Sequence, residues 1–310
     1  MKKSIVITTI NSPTEATVKF CQKKGWDVFI VGDLKTPHPE YRLLESKFSN
    51  VLYLDVEDQK KLYPQIGEVI GWNTIQRRNI GIIHAYNEGT EIFATVDDDN
   101  IPYDNWGRNL LVDKTVEVDL YESENGVFDP LSVTQSGNYL WHRGYPIDLL
   151  RTRHLVNYKG KTQRKVLVQA DLWDGDPDID AITRLIHRPI VKYQIESPYC
   201  SSNISPFNSQ NTFLSRKVIP YYSVLPFIGR MDDIWGGYIL QHYFPDSVVY
   251  CPSSVYQDRN EQDLVKNLEN EILGYRKTYE FLNDLPNFIN YLPEKSRSFW
   301  NLYRKQFSEK

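Results

Sequence analysis

Three carboxylates in a row, Asp97, Asp98 and Asp99, follow the apolar run 92–96, and two arginines, Arg77 and Arg78, stand upstream of it. Adjacent carboxylates repel one another unless a cation or hydrogen-bond donors satisfy them. In extended backbone Asp97 and Asp99 face the same way, which makes them the better metal pair. An oxygen-rich set suits Mn²⁺ or Mg²⁺ rather than zinc. The arginines fall in the first turn of a predicted helix, where a cation opposes the helix dipole unless an anion is near. A helix that precedes a parallel strand begins at the edge where that strand ends, and open α/β sheets bind ligands there. Two arginines and three aspartates therefore converge at one edge. A divalent cation between carboxylates and a diphosphate, with arginine on the remaining charge, uses all of them. The implied ligand is a nucleotide-sugar. The bland alternatives are an Asp-rich turn that caps a helix and, for Arg77, a solvated surface side chain.

A second dense group is Gly229-Arg230-Met231-Asp232-Asp233-Ile234-Trp235-Gly236-Gly237. Two acids beside a tryptophan suit a general base near a sugar, because partial burial raises a carboxylate's pKa. Asp232 reads as the N-cap of the helix that follows, with its pKa lowered, and Asp233 as the free base beside Trp235. Trp141-His142-Arg143-Gly144-Tyr145-Pro146 offers a cation and aromatic faces in a tight turn. The stretch 171–180 is acidic and turn-rich but lacks the spacing of a calcium loop. Its Asp178 and Asp180 are candidates for sugar hydroxyls, as is Asn211 in the polar run 208–212. Gly81 lies inside the arginine-bearing helix, where glycine costs about 1 kcal/mol relative to alanine; a close strand or ligand would explain it.

The elements that must position these groups alternate in the first third. Strands are predicted over 4–10, 27–32, 51–54 and 92–96. One helix opens at Pro13-Thr14-Glu15 and runs through Cys21; another is capped by Asn73 or Thr74. That alternation predicts an α/β fold with a mostly parallel sheet. Thr8, Thr9 and Asn11 close the first strand and Asp33 follows the second, which makes them, with Asp98, nucleotide-binding candidates; uridine is expected. Beyond about residue 105 the chain is rich in turn residues and reads as an irregular lobe, with short strands at 166–169 and 248–250. Apolar residues at helical spacing from 261 onward predict a C-terminal helical appendage. The expected division is 1–260, split into a nucleotide-sugar half (1–105) and an acceptor half (106–260), followed by 261–310.

The 310 residues are 41% hydrophobic and 25% charged, as in ordinary globular proteins. A net charge of -4 argues against a nucleic-acid partner. Three scattered cysteines form no CxxC pair, so a reducing compartment is expected and no zinc site or disulfide framework. No apolar run is long enough to span a membrane. Peripheral contact with a membrane stays open, as does the oligomeric state.

The segment RRNIGIIHAYNEGTEIFATVDDDN resembles the nucleotide-sugar core of GT-A glycosyltransferases. KGWDVFIVGDLKTP, LWHRGYPIDLL, ADLWDGDPDIDAITRL, FNSQNTFL and GRMDDIWGGYIL occur in the order seen in the STELLO-type glycosyltransferase family. The Arg-Gly-Tyr-Pro and Gly-Arg-x-Asp-Asp-x-Trp motifs also resemble the reversibly glycosylated polypeptides, which are UDP-arabinopyranose mutases. The resemblance covers most of residues 4–260. It implies a GT-A fold, Asp97 and Asp99 as the metal motif, Thr8, Thr9 and Asp33 at the nucleotide, and Asp232 and Asp233 where inverting enzymes keep their base. It also puts Arg143 where the mutases can carry the sugar. A metal-dependent transferase that moves a sugar from a UDP-sugar to a glycan acceptor is expected, in surface-glycan biosynthesis. A UDP-sugar mutase is the alternative, and a non-enzymatic sugar-binding scaffold the third reading. Plant STELLO-type proteins carry a membrane anchor; none is seen here, so a cytoplasmic prokaryotic or viral enzyme is expected. Related chains often have a histidine near Tyr256-Gln257-Asp258-Arg259, which leaves the third metal ligand open.

Overall fold

The computed structural model describes residues 1–135 and 139–308. The first part alternates as expected: β1 (Lys3–Thr8), α1 (Glu15–Cys21), β2 (Asp27–Val31), α2 (His38–Lys47), β3 (Val51–Leu54), α3 (Val56–Leu62), α4 (Pro64–Ile70), α5 (Arg78–Asn87) and β4 (Ile92–Val96). There follow β5 (Asn100–Pro102), β6 (Thr115–Ser123), β7 (Val156–Lys165), β8 (Val168–Gly175), α6 (Ala181–His187), β9 (Tyr199–Ser201) and β10 (Asn211–Ser215). The chain ends with α7 (Asp232–Tyr243), β11 (Val248–Gln257), α8 (Leu264–Asn283) and α9 (Glu294–Lys305).

Among the described residues the strands form one sheet in the order β3-β2-β1-β4-β10-β8-β11-β9-β6-β7, with β5 on β11. β3, β2, β1 and β4 are parallel, as the alternation predicts. β1 lies between β2 and β4, so the strand order reverses there, and a crevice opens between the ends of β1 and β4. β10 then enters antiparallel to β4, with Asn211 opposite Val96. β8 is antiparallel to β10, and β11 is parallel to β8. The ends of β1, β2, β4, β8 and β11 and the start of β10 therefore share one edge.

Both faces of the central strands are covered. Ile5 and Ile7 of β1 pack into a cluster with Phe20, Trp26 and Trp106, while Val6 points to the other face with Phe29, Phe93 and Ile82. Each such fully buried side chain contributes about 1.5–3 kcal/mol. Gly81 sits where α5 crosses the sheet: a Cβ there would lie 2.6 Å from Val6 and 2.8 Å from Val31. The close strand, not a ligand, explains it.

The second half is more regular than its composition suggests. β6 and β7 pair antiparallel over most of their length. β7 (Val-Asn-Tyr-Lys-Gly-Lys-Thr-Gln-Arg-Lys) is an exposed edge strand with almost no apolar alternation, so periodicity cannot find it. The expected strands at 166–169 and 248–250 are the beginnings of the longer β8 and β11. The C-terminal helices share one apolar cluster with α4, α5 and α7, through Phe281, Phe299, Trp300 and Tyr303. Among the described residues no helix is long and apolar enough to cross a membrane.

Candidate active site

A cavity of about 490 Å³ opens at the shared edge. Asp97, Asp99 and Arg78 line one side, Asp232, Asp233, Arg143 and Asp178 another. Ser209, Gln210, Arg230, Arg259 and the segment 73–76 complete the wall.

The three aspartates divide as expected, but not by strand alternation: β4 ends at Val96, and residues 97–100 form a turn in which the Asn100 amide donates to the Asp97 carbonyl at 3.2 Å. Asp97 and Asp99 face the cavity. Asp98 is buried and points to the β1 end, where it accepts from the Thr9 hydroxyl at 2.6 Å and Asn11 Nδ2 at 2.9 Å. Burial, only partly offset by those donors, raises its pKa. At Asp99, burial first and the Asp97 charge second push the carboxyl up to about 7. Arg78, fully buried, donates to Asp97, to the Val96 carbonyl at 3.2 Å and to both oxygens of Ser209. Burial works against its charge, and Asp97 more than restores it. The start of α5 and the end of β4 thus meet as the helix–strand argument predicts. Among the described residues no cluster of three or more His, Cys, Asp or Glu could hold a metal alone. Two cavity-facing carboxylates with a guanidinium on only one of them fit Mg²⁺ or Mn²⁺, which take their remaining ligands from water and substrate phosphates.

Arg77 is not part of this wall. It is buried against Trp72, 3.7 Å from the ring centre, and donates to Gln59 Oε1 and the Gly67 and Gly71 carbonyls. Burial lowers its pKa to about 10. Neither a ligand contact nor a solvated surface side chain describes it. The helix start also differs from expectation: residues Ile75–Arg77 form a 3-10 turn ahead of α5, Thr74 stands at the N-cap of that turn without a side-chain capping bond, and Arg77 stands at the N-cap of α5.

The acidic pair on α7 does not divide as expected, because Asp232 does not cap the helix. Met231 occupies the N-cap, without a side-chain bond, and Asp232 is the first helical residue. Asp233 is the occupied carboxylate: it accepts from Arg143 at 3.0 Å and from the Ser209 amide and hydroxyl at 2.8 and 2.9 Å. Asp232 accepts from Gln76 Nε2 at 2.6 Å and from the amide of Asp233. Burial first and the Asp233 charge second push it up to about 7. Trp235 does not face the pair. It stacks on Phe281 at 4.4 Å, and its indole N–H donates to Thr278.

Arg143 bridges Asp178 and Asp233, with Nε 2.9 Å from an Asp178 oxygen, and also donates to the Arg230 carbonyl. Arg230 and Asn208 add to Asp178, whose carboxyl is held far below the usual range by those guanidiniums despite its burial. This engagement leaves Arg143 poorly placed to carry a sugar. Arg143→Ala strands two buried carboxylates, and breaking a buried pair costs about 3–5 kcal/mol. A urea denaturation midpoint close to wild type would contradict that; Arg143→Lys should recover little, since a point charge cannot reproduce the fork.

The remaining expected residues lie at the same edge but outside the cavity wall. Asp33 accepts the amides of Leu34 and Thr74. Thr8 is buried with its hydroxyl unpaired. Asp180 caps α6 through Ile182 and Thr183, and Asn211 ties Trp106, Ser254 and two carbonyls together, so both serve the fold. His142 is buried and its pKa lowered by that burial. Sequence reasoning passed over Gln76, Ser209, Gln210, Arg230 and Arg259. Arg230 and Arg259, as charges inside or beside singled-out motifs, and Ser209 and Gln210, inside the polar run 208–212, carried some signal; Gln76 carried none.

No known protein-family model matches the chain. Over 192 residues, 58% of this chain, it is 23% identical to "Probable glycosyltransferase STELLO2" of Arabidopsis thaliana and 22% identical to STELLO1. Over that stretch the chain is similar in sequence to the STELLO-type glycosyltransferases. The match spans 24% of the length of each STELLO protein. Solved structures of glucosyl-3-phosphoglycerate synthase from Mycobacterium tuberculosis show a remote likeness at 12% identity. The form with Mn²⁺, UDP-glucose and phosphoglyceric acid has a TM-score of 0.48, covering 91% of this chain and 78% of that one. The form with Mn²⁺, UDP and glucosyl-3-phosphoglycerate has a TM-score of 0.47 over the same shares.

Proposed function

We propose that the protein is a metal-dependent glycosyltransferase of the GT-A type, which moves a sugar from a UDP-sugar to a hydroxyl of a glycan acceptor in the cytoplasm. The observation that carries this is one cavity with Asp97, Asp99 and Arg78 on one wall and a carboxylate of raised pKa, Asp232, on another. Sequence similarity to the STELLO-type proteins supports it. A divalent cation on Asp97 and Asp99 would supply charge against the departing diphosphate. Arg78 holds Asp97 in its cavity-facing position and adds positive charge beside it. Gln210 lines the cavity with its carbonyl oxygen unpaired, available to a sugar hydroxyl. Asp232 takes the proton of the acceptor hydroxyl as that oxygen attacks the anomeric carbon, which inverts its configuration.

Thermal stabilisation by a nucleotide panel tests the donor side. A ligand at a hundred times its Kd adds about 2.7 kcal/mol. UDP with Mn²⁺ should therefore raise Tm by several degrees, and EDTA should remove the gain. Stabilisation by GDP or CMP with none by UDP would overturn the uridine assignment; no nucleotide effect at all would overturn the nucleotide-sugar reading.

A further inference from the structure

Beside the main cavity lies a second, of about 650 Å³. Arg259 and Gln262 line both, so the two adjoin. Arg184, Arg188 and Arg259 all contribute to the second one. The side chains of Arg184 and Arg259 are only 4% and 5% exposed. One carboxylate serves both: Asp176 pairs with Arg184 and lies 3.6 Å from Arg259 Nε. Arg259 has a further hydrogen bond of 3.3 Å to the Asp176 carbonyl, and the Nε atoms of both arginines lack a hydrogen-bond partner. A guanidinium carries five N–H donors, and a buried one short of acceptors is costly. Burial and then the neighbouring Arg184 charge disfavour the Arg259 cation, and the more distant charges of Asp178 and Asp99 only partly restore it.

Arg188 adds a separate sign. It is exposed, has no ion-pair partner among the described residues, and ends α6 at a φ of 41°. That left-handed conformation favours glycine and costs a side-chain-bearing residue strain. Strain of this kind gathers at ligand clamps. Of the carboxylates lining the cavity besides Asp176, Asp263 caps α8 through the Lys266 amide and Glu261 is exposed.

Resting on the nucleotide-sugar reading of the main cavity, we infer that the acceptor carries an oxyanion, a phosphate monoester or a carboxylate, held by Arg184, Arg188 and Arg259. Guanidinium forks bind both groups through paired N–H donors. The acceptor hydroxyl then enters the main cavity past Arg259 and Gln262, toward the wall that holds Asp232.

The test is isothermal titration of inorganic phosphate and of D-glucuronate, with glucose as the neutral control, into the full chain saturated with UDP and Mg²⁺. At least one anion should bind, and the tighter of the two identifies the class. Arg188→Gly and Arg259→Gln should each weaken that binding about tenfold or more, while glucose gives no signal with any form. Arg188→Gly relieves the backbone, so it should melt at or above the wild-type temperature, which separates lost binding from misfolding. No anion binding by the wild type, or equal binding by both variants, would overturn the inference. Failure of UDP to bind counts against the nucleotide-sugar reading and is read separately from the Arg188 dependence of the phosphate signal.

Discussion

Asp99→Asn should lose about a thousandfold or more in turnover and yet fold at least as stably as the wild type. Charge stabilisation by a bound metal is worth several kcal/mol in the transition state, and each 1.36 kcal/mol is tenfold in rate. The stability side follows from the cavity itself. Asp99 is one of two carboxylates on the same wall and has no guanidinium bonded to it; burial and repulsion from the charges of Asp97 and Asp98 outweigh the help it has from the Arg259 charge and the Asn260 amide. Asparagine removes that repulsion. Asp97→Asn should lose turnover to the same extent but behave differently in urea. It takes the ion pair away from the fully buried Arg78, at a cost of about 1.5–3 kcal/mol for a charged hydrogen bond. Single-turnover cleavage of a UDP-sugar and urea melts of both variants check the pair of outcomes. Full activity of either variant in EDTA would remove the metal from the reaction.

Asp232→Asn should cut kcat about a hundred- to ten-thousandfold, the usual contribution of a general base, with donor affinity nearly unchanged. The pH dependence has a definite sign. The folded-state carboxyl is raised from 3.8 to about 7, so the native protein holds a proton there that the unfolded chain has lost. This group's contribution to stability is complete below about pH 4 and declines as pH rises toward 7. Activity runs the other way: the base works only when deprotonated, so kcat climbs with pH through about 7. The variant should lack the kinetic limb and show a shallower stability slope, the part that remains coming from Asp99, whose carboxyl is likewise raised to about 7. Asp233→Asn should instead lower stability by about 1.5–3 kcal/mol, because Arg143 and Ser209 lose a charged partner. A wild-type kcat in Asp232→Asn, together with a large loss in Asp233→Asn, would exchange the two roles. Unchanged rates in both would place the base elsewhere or make the reaction retaining.

Much of the wall formed by Asp97, Asp99 and Arg78 was legible in the chain because it depends on short-range geometry. The period of two in extended backbone picks Asp97 and Asp99 as the pair on one side; the structure puts that pair on the cavity through a turn closed by the Asn100 amide on the Asp97 carbonyl. The antiparallel run of a helix against its next strand brings Arg78 to the end of β4. Neither rule chooses between Arg77 and Arg78, which follow each other around the helix start at about 100° per residue. Packing chooses: the Gly67 and Gly71 carbonyls and Trp72 absorb Arg77 and leave Arg78 at the edge. The acidic pair on α7 was equally open. Local rules allowed either residue to cap the helix, and only Arg143 and Ser209, both distant in sequence, decide that Asp233 is the occupied one. Gln76 stands in a segment with no chemical signature, and for Ser209, Gln210 and Arg259 the surrounding motif does not say which side chain faces the cavity. They meet because β10 inserts antiparallel beside β4 and β11 runs parallel to β8, which turns the loops at 208–210 and 258–262 toward the same edge. Strand order of that kind is selected by burying both faces of the sheet at once, a sum over the whole chain that no local pattern contains.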